Sequence, residues 1–223
     1  MKTFSFSGFI AALLATPALA TVNIQFEFGS LRDSGGTPLA STTLVLLVAD
    51  TSGDGFFPSA LDLNGATLSN GQTIGGDKVL YSGTTVNTPA NGTISGTVFK
   101  IDYAALGINQ GDLWAIYWFP GVSAEGAVAS PGDPYGFYRT SVLDQATVDA
   151  VGATDAMVFP ADTGATVRTA YYDSQVLGTF GIASTANSPD PSDYTASLTV
   201  VPEPSTIILG ALGGLALLRR RRS

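Results

Sequence analysis

Leu113-Trp114-Ala115-Ile116-Tyr117-Trp118-Phe119 is the most hydrophobic strand candidate in the chain, and Pro120 ends it. On a strand, successive side chains point to opposite faces, so Leu113, Ala115, Tyr117 and Phe119 share one face while Trp114, Ile116 and Trp118 share the other. Both faces are apolar, whereas an antiparallel strand at a surface keeps one face wet. One set of side chains must then be covered by a loop or left open for a ligand. Trp114 and Trp118 stand roughly 13 Å apart at ~3.3 Å per residue, far enough for two indoles to stack on separate sugar rings. They are the candidate ligand face, set against the plainer expectation that both are simply buried.

Working outward, the chain offers many short strands and almost no helical periodicity. Val22, Ile24, Phe26 and Phe28 alternate with Asn23, Gln25 and Glu27, the pattern of a half-buried strand. Thr42 to Ala49 is a near-continuous apolar run of strand length, expected to be buried on both faces. Lys78–Ser82 reads as a short strand, and Thr93–Ile101 as a strand with a bulge at Gly96. Gly136 to Val142 returns to strand character, Leu143 to Val151 predicts one or two turns of helix begun at Asp144, and weaker strands follow at 156–159, 166–172, 175–180 and 194–200. Polar segments rich in Gly, Asn, Asp and Ser separate them, the longest from Asp50 to Gly76. With 13% charged residues and no repeat of solenoid or propeller period, the pattern predicts an all-β domain built as a two-sheet β-sandwich.

Within the long excursion, Asp50-Thr51-Ser52-Gly53-Asp54-Gly55 fits the opening of a calcium loop, with oxygen ligands at alternate positions and a glycine for the sharp turn. The ending does not fit. The twelfth position, where a bidentate glutamate belongs, is Leu61, and Asp62 lies one later. Asp50, Ser52, Asp54 and Asp62 are the candidate calcium ligands, with Asp77 as a further oxygen across a fold-over. The competing expectation is a turn that needs Asp and Gly for its backbone conformation. Asn91-Gly92-Thr93 likewise reads as a turn rather than a glycan acceptor.

Both ends of the chain read as processing segments. Lys2 supplies a positive start, Phe4 to Ala15 an apolar stretch, and Ala18-Leu19-Ala20 a small-residue cleavage site, so residues 1–20 predict a signal helix and the mature chain begins at Thr21. At the other end Val201-Pro202-Glu203-Pro204-Ser205-Thr206 precedes the apolar run Ile207 to Leu218 and then Arg219, Arg220, Arg221 and Arg222. Ser205 to Leu218 as a helix reaches only about 21 Å against roughly 30 Å of hydrocarbon, a deficit that arginine snorkelling and local thinning reduce. A hydrophobic helix with a cationic stop places the arginines on the cytoplasmic side and residues 21–201 on the other.

This tripartite ending resembles the PEP-CTERM sorting signal of Gram-negative bacteria. The resemblance rests on Pro202-Glu203-Pro204, the run from Ser205 to Leu218, and the terminal arginines. It implies export, a transient anchor in the inner membrane, and processing near the Pro-Glu-Pro by an exosortase, an integral-membrane protease or transpeptidase, commonly in species that make extracellular polysaccharide. Residues 202–223 form the sorting signal, and the domain of residues 21–201 inherits from it only a location, the cell surface or extracellular matrix.

Composition narrows what that domain does. It holds five cations (Arg32, Lys78, Lys100, Arg139 and Arg168) and 17 acids, a net charge of −12. Nucleic acid is therefore no partner, since binding it requires clustered Lys and Arg. The absence of cysteine leaves the fold to apolar burial alone. The absence of histidine removes Ser-His-Asp and Cys-His chemistry and His-ligated metals. Glu27 and Glu125 are the only glutamates before the tail and read as a strand's solvent face and a loop, poor material for a glycosidase pair. The expected function is a non-enzymatic envelope or matrix protein, with a carbohydrate-binding or adhesive module, stiffened by calcium, as the alternative.

Overall fold

The structure is a computed structural model in which residues 21–86, 91–140, 156–172 and 191–201 are described. Eleven strands and one helical turn are found among these residues. Two of the strands organise the rest. β2 (Leu44–Ala49) and β7 (Trp114–Phe119) are buried at every position, and they pair antiparallel through Leu46↔Tyr117 and Leu47↔Ile116. They occupy the middle of a six-stranded sheet with the order β11-β9-β7-β2-β5-β4. In it β4 is Thr73–Ile74, β5 Asp77–Thr84, β9 Pro134–Tyr138 and β11 Leu198–Thr199.

The two apolar faces of β7 are both covered, by different material. Trp114, Ile116 and Trp118, with Val45 and Leu47 of β2, share a core with Val22, Ile24, Phe26 and Phe28 of β1 (Val22–Gly29). β1 is the middle strand of a second sheet, antiparallel to β6 (Ile94–Ile101) and parallel to β10 (Thr166–Tyr172). Ala115, Tyr117 and Phe119, with Leu44, Leu46 and Val48, face the other way onto Leu63, Leu68, Ile74 and Ala129. Those residues come from the long excursion after Ala49 and the loop after Phe119, which meet as the two-stranded ribbon β3 (Thr67–Leu68) and β8 (Ala127–Val128). The six-stranded sheet thus has a sheet over one face and a loop layer over the other, and β2 and β7 are apolar throughout for that reason.

The all-β expectation holds in the described residues. The helix α1 (Tyr103–Leu106) is a single turn, capped by the Asp102 carboxylate accepting from the Ala105 N–H at 3.0 Å and ended by Gly107 at φ 74°. Several boundaries differ from expectation. Gly96 makes no bulge: it lies directly opposite Phe26, whose ring occupies the space a Cβ would need. The extra residue lies later, where Val22↔Ile101 gives way to Ile24↔Val98 and Lys100 takes φ 54°. The segment 156–159 contributes a single bridge, Leu113↔Val158, and the strand expected over 194–200 shortens to β11. The expected helix at 143–151, the strand at 175–180, the signal helix of residues 1–20 and the membrane helix with Arg219 to Arg222 lie outside the described residues. Among the described residues no helix is long and apolar enough to cross a membrane.

Candidate functional site

Trp114 and Trp118 do lie on one face, as the alternation requires, but both are fully buried. The expected ligand face is therefore corrected to core. The three-stranded sheet covers it, with Phe28 edge-on to Trp114 at 6.4 Å between ring centroids and Tyr194 edge-on to Trp118 at 6.2 Å. The Trp118 indole N–H donates to the Arg32 carbonyl at 2.9 Å. The Trp114 indole N–H is buried without an acceptor.

The Asp50 segment folds as a turn closed by its own carboxylate. Asp50, 2% exposed, accepts on Oδ1 from the Gly53 N–H (2.8 Å) and the Ser52 hydroxyl (3.1 Å), and on Oδ2 from the Gly55 N–H (2.9 Å). Asp54 accepts from the Phe56 N–H at 2.8 Å, and Asp62 from the Ser59 N–H and hydroxyl at 2.8 and 2.7 Å. Each carboxylate thus serves a separate local turn. Among the described residues no group of three or more acidic side chains is placed to hold a metal ion; of the expected set, Asp50 and Ser52 are joined by a hydrogen bond while Asp54 and Asp62 each bond within their own turn. Asp77 does fold over as anticipated, accepting from the Ser52 N–H at 3.2 Å. Burial pushes its carboxyl from the ordinary 3.8 up to about 6; the Ser52 hydrogen bonds pull it down, and the Asp50 and Asp54 charges add to the rise.

The two glutamates also have separate local roles. Glu27 on β1 is hydrogen-bonded to Tyr172 of β10. Exposed Glu125 accepts from the Asn70 N–H at 2.9 Å, and its bonds to Ser82 and Asn70 hold its carboxyl below the usual range. The six-stranded sheet stands between them.

A cleft that the sequence reading did not single out opens beside β9. Its volume is about 260 Å³, and Phe56, Phe57, Tyr135, Phe137, Arg139 and Leu198 contribute to its lining, over a floor that includes Tyr117. Phe57 and Phe137 meet at 5.6 Å and Tyr117 and Phe137 edge-on at 5.0 Å, while the Arg139 guanidinium sits 5.8 Å over the Phe57 ring. The Tyr117 hydroxyl is spent on the Pro58 carbonyl at 2.9 Å, and burial drives its pKa well above the ordinary 10. The signal was available in Pro134-Tyr135-Gly136-Phe137-Tyr138-Arg139, an aromatic run ending in one of five domain cations.

The last described residues, 198–201, run next to this cleft. Leu198 pairs with Tyr135. Val200, 2% exposed, donates to the Asp133 carbonyl at 3.0 Å and accepts from the Gly132 N–H at 2.9 Å. The Val201 N–H donates to the Ala60 carbonyl at 3.1 Å. The chain enters Pro202 from residues fixed on both sides.

Residues 200–222 match the family model of the PEP-CTERM protein-sorting motif. No curated protein and no solved structure matches the chain. The motif implies an exported protein processed by an exosortase, a membrane protein. Of the expected motif residues, Val201 is placed at the domain edge, and Pro202, Glu203, Pro204 and Ser205 lie outside the described residues, as do Ala18 and Ala20. Val200 and Val201 belong to the motif and to the folded domain at once.

Proposed function

We propose that the chain is a non-enzymatic envelope or matrix protein of a Gram-negative bacterium. It is exported with loss of residues 1–20, held in the inner membrane through the run Ile207 to Leu218 with Arg219 to Arg222 on the cytoplasmic side, and cut near Pro202-Glu203-Pro204. The β domain is then delivered to the cell surface or the extracellular polysaccharide. The observation that carries this reading is the sorting motif beginning at residue 200, at the last anchored residues of the β domain. The lack of histidine and the separation of Glu27 from Glu125 support a non-enzymatic role. The Asp50 segment enters as a turn rather than a cation site. An adhesive, carbohydrate-binding role loses the Trp114 and Trp118 face and keeps the cleft beside Arg139.

The test is to produce the full chain in a host with its exosortase and in the same host lacking it. The reading requires a shortened, tail-free product in the first and a longer, membrane-bound product in the second. Identical masses and compartments in both would refute it.

A further inference from the structure

We propose that the cleft beside β9 binds a single acidic sugar unit of an extracellular polysaccharide, with Arg139 on its carboxylate and the Phe57 and Phe137 rings against its C–H face. The walls call for such a ligand. At about 260 Å³ the cleft is below the roughly 300–1,000 Å³ usual for drug-sized ligands, so it accepts about one ring. Phe56, 75% exposed at its rim, extends the aromatic surface beyond that ring toward a neighbouring unit.

Two polar groups then select among ring-bearing ligands. Tyr135 is 4% exposed, yet its hydroxyl has no hydrogen-bond partner, and it is not a sealed atom: the sealed, unpartnered side-chain atom among the described residues is the Trp114 nitrogen. A hydroxyl without a partner on a residue that lines the cleft suits a ligand that carries hydroxyls or a ring oxygen beside an apolar face, which a pyranose does. Arg139 asks for an anion. The lining contains no Asp or Glu, in a domain with 17 acids and five cations. Stacked on Phe57, its guanidinium holds a planar fork suited to a carboxylate.

The experiment is native affinity electrophoresis of the detergent-solubilised full chain in gels cast with polygalacturonate or alginate, and with neutral dextran. Protein and polyuronate are both anionic overall, so bulk charge opposes retention; the cluster Arg219 to Arg222 attracts a polyanion without a site, and the part of the retention that belongs to the cleft is the part that Arg139→Gln removes. Retardation by a polyuronate and not by dextran is expected. Arg139→Gln, at an exposed position, should lose it by at least about tenfold in half-retarding polymer concentration with an unchanged melting midpoint; Phe57→Ala should lose it too, at a lower melting midpoint because that ring also packs against the core, and Arg168→Gln on β10 should leave it intact. No retardation of the wild type, equal retardation by dextran, or retention unaffected by Arg139→Gln would each overturn the proposal. So would binding that emerges only in Glu203→Gln, which would assign the cleft to the chain's own Pro202-Glu203-Pro204. Each of these readouts is independent of processing by an exosortase.

Discussion

Gly136 of β9 lies directly opposite Trp118 of β7, and a Cβ on Gly136 would overlap the Cε2 and Cζ2 atoms of the indole. The glycine makes room for the largest side chain of the core at a cross-strand position where two side chains cannot both fit. Gly136→Ala should lower stability by about 2–3 kcal/mol through overpacking, shifting Tm down by roughly 5–10 °C for a domain of this size. Calorimetry of the pair checks it, and an unchanged Tm would show that β9 is not seated against the indole.

The two buried indoles should respond differently to truncation. Trp118 donates to the Arg32 carbonyl, whereas Trp114 carries an N–H with no acceptor. Replacing either by Phe removes volume, but only Trp118→Phe loses a hydrogen bond, and only Trp114→Phe relieves an unpaired buried donor, worth about 1–3 kcal/mol. Chemical denaturation should find Trp114→Phe the less damaging by about that amount. Equal losses would mean that the Trp114 nitrogen has a partner in solution.

Asp77 gives stability a pH dependence with a definite sign. Its carboxyl titrates at about 6 in the folded chain against an ordinary 3.8, so between those values the folded chain holds a proton that the unfolded chain has released. Its contribution is complete below about pH 4 and is lost as pH rises through 6. Asp77→Asn retains an acceptor for the Ser52 N–H and removes the titration. The variant should therefore gain on the wild type in denaturation midpoint between pH 4 and pH 7. A gap that does not change with pH would contradict the assignment.

The Asp50 turn is expected to stand without metal. Asp50→Ala deletes acceptors for the Gly53 and Gly55 N–H groups and the Ser52 hydroxyl, a loss of about 2–3 kcal/mol for hydrogen bonds to a buried charge. The wild type should melt at the same temperature in calcium and in chelator. A higher midpoint in calcium, abolished by Asp50→Ala, would restore the cation-site reading.

What the sequence made legible followed local periodicity. The alternation of Val22 to Phe28, the unbroken apolar run ending at Ala49 and the two apolar faces of Leu113 to Phe119 predicted strands that formed at those places. The identity of the cover on each face of β7 was not legible, because it depends on pairing over long separations. The parallel match of Ile24 with Val167 brings in the sheet that buries Trp114 and Trp118, and no local pattern encodes it. Gly96 is a related case: its role lies in the Phe26 ring across the strand, not in its own neighbours. The cleft is not legible locally because Phe56 and Phe57 come from an aperiodic loop, while Tyr135 and Phe137 come from β9 and Arg139 from just beyond it, some eighty residues later.

The most direct test of the account is the intact mass of the native protein, taken together with its cell fraction. The account predicts an exported polypeptide that begins at Thr21 and ends near Pro204, with the apolar run and Arg219 to Arg222 removed. A full-length chain from Met1 to Ser223, soluble in the cytosol, would contradict it.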